Sequence, residues 1–197
     1  MFPAPKIMFN ERFGLESAVL NGSKTMTRRI AKLKERDEQY LNEAFDLDFR
    51  KKVIIDDYSR FKKGDLVAVA QSYEAVYKES PEWFNGQLEA NGDYLDNLKE
   101  EPGWTNKMFT SSYYLRHRIQ ILSVEMERLQ DISDDDCMKE GITPFRDQYS
   151  FHDKVREALV VRNTPQRAFA ELIDRMSGKG TWDSNPWVFV YSFVLSR

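Results

Sequence analysis

Nine residues near the end of the chain, "WVFVYSFVL" from Trp187 to Leu195, alternate aromatic and aliphatic side chains and carry no charge. Successive side chains of a strand point to opposite faces, so this segment needs apolar cover on at least one of them. It reads as a terminal strand buried on at least one face.

Other strand signals lie far apart. "PKIMF" suggests a short first strand, and Gly64-Asp65 turns the chain into the apolar run Leu66, Val67, Val69. Ile119 and Ile121 alternate with polar neighbours. Helical spacing appears in "ERFGLESAVLNG", with Gly22 as a stop, and again from Arg167 to Met176. Ser133 followed by Asp134, Asp135 and Asp136 marks a helix start, since the hydroxyl caps free N–H groups and acids favour the positive dipole end. Gly141 would end that helix. Leu33, Tyr40, Leu41, Phe45 and Phe49 suggest one amphipathic helix in the charged stretch after Ile30. The segment 74–107 has scattered aromatics among Pro and Gly and reads as a lid or an insertion.

This alternation of strands and helices is α+β, as in a small barrel wrapped by helices. A length of 197 residues suits a single domain over 1–197, with insertions near 30–63 and 74–107. No stretch approaches eighteen apolar residues, so no membrane span is expected. "MFPAPKIMFNERF" lacks the pattern of a signal peptide. Cys137 is the only cysteine, which precludes an intrachain disulfide and suits a cytoplasmic protein. The two histidines stand 35 positions apart, neither beside a second ligand at metal spacing, and no phosphate- or dinucleotide-binding glycine motif is present. No metal and no cofactor are expected. A net charge of −3 argues against a broad duplex-binding surface.

Against that negative balance, "NGSKTMTRRI" gathers Lys24, Arg28 and Arg29 with three hydroxyls directly after a helix stop. It is either a solvated turn or a site for phosphates or polarised carbonyls. In a straight strand Lys24 and Thr27 would point to opposite faces, so a shared cleft needs a turn or bulge between them. Glu140 ends the acidic helix, where a carboxylate is slightly unfavourable against the dipole. Trp182 and Trp187 read as packing residues. Arg116 and Arg118 flank an apolar strand on one shared face.

Four stretches, in order, resemble the ASCH-domain family of the PUA-like superfamily, above all its phage-associated and bacterial members. They are "NGSKTMTRR", Gly64 to Val69, "LQDISDDDCMKEG" and "WDSNPWVFVYSF". The chain departs from the family at "AQSY", Ala70 to Tyr73, where members often carry Arg-Glu-x-Trp. The resemblance implies a mixed, mostly antiparallel PUA-like barrel of five or six strands with helices at its sides. It implies an RNA or modified-nucleoside partner in a cleft beside the Lys-Thr-x-Thr stretch. In certain small members a lysine, a threonine three residues on and a distant glutamate deacylate N-acetylcytidine; these fall on Lys24, Thr27 and Glu140 as catalytic candidates. Thr25, Arg28, Arg29 and Arg118 are the ligand-binding candidates. Three functions follow: an amidohydrolase, a non-catalytic RNA-binding module, or a protein-interaction module of phage or mobile-element origin.

Overall fold

The computed structural model describes residues 4–43 and 45–196. In chain order it runs β1 (Lys6–Ile7), α1 (Leu15–Leu20), β2 (Met26–Ile30), α2 (Glu35–Asn42), α3 (Leu47–Tyr58), β3 (Leu66–Val69), α4 (Tyr73–Glu79), α5 (Pro81–Asn91) and α6 (Leu95–Glu100). It continues through β4 (Arg118–Arg128), α7 (Asp134–Lys139), β5 (Thr143–Phe145), β6 (Gln148–Asp153), β7 (Ala158–Arg162), α8 (Pro165–Ser177), α9 (Thr181–Ser184) and β8 (Trp187–Ser196). The fold is α+β. The chain forms two compact units, one of residues 1–9, 66–120 and 195–197, the other of 10–65 and 121–194.

In the first unit β1 runs parallel to β3, and β3 pairs antiparallel with the start of β4, Val67 opposite Ile119. The segment 74–107 is helical rather than plain loop: it supplies most of α4, then α5, α6 and a short 3-10 turn at Pro102–Trp104. Ser72 caps α4 by accepting from the Ala75 N–H at 3.2 Å, and Pro81 opens α5, which needs no N–H there. Its aromatics build a core, Tyr94 excepted, which is exposed. Tyr73 packs edge-on against Tyr114 with ring centroids 5.4 Å apart, and Tyr77 packs against both Phe84 and Trp104. Phe84 and Leu115 are fully buried within it.

In the second unit β8 takes the buried position its alternation requires, lying between β4 and β2 in the hydrogen-bonded order. β2 pairs with it antiparallel, Thr27 opposite Tyr191 and Arg28 opposite Val190. Among the described residues no pairing closes the strands into a barrel. A second sheet, β5-β6-β7, is absent from the sequence reading. Its two turns carry their left-handed backbone on Arg146 (φ 56°) and Glu157 (φ 49°), so no glycine announces them. The buried stripe of α8, Ala168, Phe169, Leu172 and Ile173, follows the helical period. Asp153 of β6 is wholly buried; its carboxylate accepts from Arg12 Nε and Nη2, each at 2.8 Å, and from Arg175 Nη1 at 2.9 Å.

The stretch after Ile30 forms two helices rather than one. Asp46 Oδ1 accepts from the Phe49 N–H at 3.0 Å and starts α3 afresh, which breaks the phase of the apolar pattern. Leu41 is buried, whereas Tyr40, Phe45 and Phe49 are exposed.

Candidate functional site

The site grows from the turn that ends α1. Gly22 has φ 81°, and Asn21 Oδ1 accepts from the Ser23 N–H at 2.9 Å. The Lys24 N–H then donates to the Ala18 carbonyl at 2.9 Å, which folds the backbone back before β2 begins. Thr25 carries the next links. Its N–H donates to the Lys139 carbonyl at 3.1 Å, and its own carbonyl accepts from the Phe193 N–H at 2.9 Å. Thr25 thus fastens the end of α7 to β8 through its backbone.

On the α7 side, Ser133 Oγ accepts from the Asp136 N–H at 3.1 Å, the cap expected from the sequence. The helix ends with Gly141 N–H donating to Met138 O and Ile142 N–H to Cys137 O, at 2.9 and 3.1 Å. Gly141 has φ 108°, and a Cβ there would stand 2.9 Å from Leu15 Cδ2. Only glycine fits both the backbone and the space.

Lys24 reaches this helix end. Its Nζ donates to the Glu140 carbonyl and to Glu140 Oε2, both at 2.7 Å. The other carboxylate oxygen, Oε1, accepts from Arg28 Nη1 at 3.2 Å. Arg28 is engaged on every side: Nε donates to Glu127 Oε1 at 2.7 Å, Nη2 to Asp136 Oδ2 at 3.1 Å, and Nη1 also faces Met26 Sδ at 3.2 Å. Lys139 Nζ donates to Asp136 Oδ1 at 2.8 Å. Three cations therefore meet three carboxylates, and the cluster is electroneutral. The side chains of Lys24 and Arg28 are each 1% exposed. This is where the basic charge of "SKTMTRR" goes in an acidic chain.

Burial favours the neutral amine, pulling the Lys24 pKa below its ordinary value against the opposing attraction of Glu140. Burial likewise pushes Glu127 up. Asp136 resists the same burial and stays below the usual carboxylate range, because Lys139 and Arg28 donate to it. Burial drives the Cys137 thiol up to about 12.

The candidates separate as follows. Lys24, Glu140 and Arg28 come together. Thr27 is buried, but strand alternation sets it on the face away from Arg28, and it takes no part in the cluster's hydrogen bonds among the described residues. Arg28, a ligand-binding candidate, has its guanidinium bonded to three protein carboxylates and its side chain 1% exposed. Arg29 is exposed at the outer half of β2. Arg118 belongs to the first unit, at the start of β4. Glu127 and Asp136 are partners that sequence reasoning missed. A signal for Asp136 existed: it lies four residues before Glu140, so both carboxylates share one helix face. Among the described residues no group of three His, Cys, Asp or Glu side chains is arranged to hold a metal ion. No helix among them is long and apolar enough to cross a membrane.

Scans against protein-family models, characterised proteins and solved structures returned no match to this chain.

Proposed function

We propose that this is a PUA-like ASCH-domain protein that binds RNA or a modified nucleoside beside the Lys24–Thr27 stretch and hydrolyses amides of the N-acetylcytidine type. One observation supports the reading above the others: Lys24 Nζ lies 2.7 Å from Glu140 Oε2, out of water. The resemblance pairs these two residues as catalytic, and they are 116 positions apart. The reading takes the mixed sheet as the wall of a PUA-like barrel and the protein as cytoplasmic, where RNA and free nucleosides are available.

The chemistry follows from the pair. A lysine whose ammonium is destabilised by burial can serve as a general base near neutral pH. Its amine takes a proton from a water as the water oxygen attacks the acyl carbon. The C–N bond then breaks, and the proton passes to the departing exocyclic nitrogen, giving a free carboxylic acid and the amine. Glu140, held by Arg28, orients the lysine and relays the proton. Arg28 is committed to Glu127, Asp136 and Glu140, and the reading assigns contacts with a phosphate or ribose to Arg29 and Thr25.

The test is turnover: wild type, Lys24→Ala, Thr27→Ala and Glu140→Gln are incubated with N-acetylcytidine, and cytidine is followed by chromatography. Release by wild type that is lost in Lys24→Ala and Glu140→Gln supports the enzyme. A second reading, a binding module without turnover, is favoured by the 1% exposure and charge balance of Lys24, which suit a structural pin. A folded wild type that binds the nucleoside calorimetrically but leaves it intact selects that reading. Neither turnover nor binding, at high protein concentration and low salt, would sink both.

A further inference from the structure

A groove of about 470 Å³ runs along α8 beside Trp182, lined also by Ala170, Arg167 and Lys179. A second hollow, of about 400 Å³, shares Arg167, Ala170 and Trp182 and reaches to Thr164 at the start of the helix. Arg167, Ala170 and Asp174 recur at helical spacing, so one face of α8 forms the wall. Ala170 is the small residue midway along it, and it leaves room against the indole. Trp182 is only half-buried, with its ring edge-on to Phe169 at a centroid distance of 6.3 Å.

The charges are unequal in availability. Glu171 is taken by Arg162 and by Arg175, whose Nη2 lies 2.6 Å away, and Arg175 also reaches Asp153. Asp174 accepts from the backbone N–H groups of Gly180 and Trp182 at 3.1 and 2.8 Å, so it is spent on positioning the tryptophan. Arg167 and Lys179 are exposed, and among the described residues neither side chain has a hydrogen-bond or salt-bridge partner. Arg167 lies in the first turn of α8 and Lys179 just past its closing Gly178, so they bracket the groove with most of the helix between them, roughly 15 Å from Arg167 to Ser177 at 1.5 Å per residue. In a chain of net charge −3, this face therefore offers two uncommitted cations with an aromatic ring nearby.

We infer that this groove is a binding site for single-stranded nucleic acid, with a base stacked on Trp182 and backbone phosphates on Arg167 and Lys179. A ring with flanking cations is the arrangement that holds unpaired strands without reading sequence. The span between the cations exceeds one nucleotide, which favours an oligomer over a mononucleotide. An acidic peptide would use the cations and leave the indole idle. The site is separate from the Lys24 cluster and does not depend on what that cluster does.

The experiment is fluorescence anisotropy of a fluorescein-labelled twelve-residue oligouridylate, titrated with full-length protein at several salt concentrations. Trp182→Ala should weaken binding roughly 5- to 150-fold, the range expected for one stacked base. Arg167→Ala/Lys179→Ala should weaken it and flatten the salt dependence, lowering the logarithmic slope by about 1.4 for two lost phosphate contacts. That double variant keeps the inference testable should Trp182→Ala fail to fold, because both cations are exposed. The inference is overturned if wild type binds no oligouridylate at low salt, or if the double variant binds undiminished, which would place the strand elsewhere. It is equally overturned if a poly-glutamate peptide of the same charge competes as well as unlabelled oligouridylate.

Discussion

Replacing Lys24 by Met removes one charge while keeping an unbranched apolar stem of similar length. Glu140 would then keep its ion pair with Arg28, at 3.2 Å, but its carbonyl would lose the Nζ donor at the end of α7. Lys24 is 1% and Glu140 5% exposed at the side chain, so little solvent is at hand to replace the lost ammonium. Breaking a buried pair from one side costs about 3–5 kcal/mol, because an uncompensated charge remains. For a chain of this size that corresponds to a fall in melting temperature of about 6–20 °C. Thermal and urea unfolding of the variant, followed by circular dichroism, measures it. Lys24→Met/Glu140→Gln should recover part of the loss, since the orphaned carboxylate is gone, and the non-additivity is the signature of the pair. A Lys24→Met protein within about 1 kcal/mol of wild type, or strict additivity in the double variant, would refute the claim that the pair is buried and coupled.

Two further outcomes are expected. The Arg12 hydrogen bonds, with Arg175, hold the Asp153 carboxylate well below its ordinary value. A depressed carboxylate contributes its stability fully above the unfolded value, about 3.9, and loses it as pH falls toward the folded one. Asp153→Asn should therefore be less stable than wild type at pH 7, with the gap narrowing below about pH 4; a gap constant down to pH 2.5 in denaturation series would contradict this. Cys137 is wholly buried and its thiol sits at about 12, so iodoacetamide at neutral pH should label it only after denaturant is added. Labelling of the native protein by mass spectrometry would count against that burial.

What the residues disclosed in advance follows from how local each signal is. Ser133 and Gly141 delimit α7 by capping chemistry, which a sequence displays directly, and β8 is legible because its alternation is uninterrupted. The opposition of Lys24 and Glu140 has no local trace; it came from the family resemblance alone, as nothing in either segment points to the other. Asp136 looked like a first-turn acid complementing the helix dipole, and it lies there, but its carboxylate also holds Arg28 and Lys139. Glu127 lies on a strand whose charged residues look solvated until Arg28 is placed beside it. The sheet β5-β6-β7 escaped because Arg146 and Glu157 occupy backbone conformations that usually call for glycine or asparagine. Phe45 and Phe49 misled for the opposite reason, as apolar residues in helical phase across a point where Asp46 resets the helix.

The register of β3 and β4 carries a consequence for the first unit. Ala68 and Arg118 are partners across adjacent antiparallel strands, yet the whole helical segment lies between them in the chain. Topologically α4, α5 and α6 are the inside of a hairpin loop, one that has grown a core shared with β3 through Ala68. Closing a longer loop costs little extra entropy once its contents fold. Ala68 is fully buried in the aromatic cluster and Lys6 of β1 donates to the carbonyls of Met108 and Thr110, so the strands and the bundle hold one another in place.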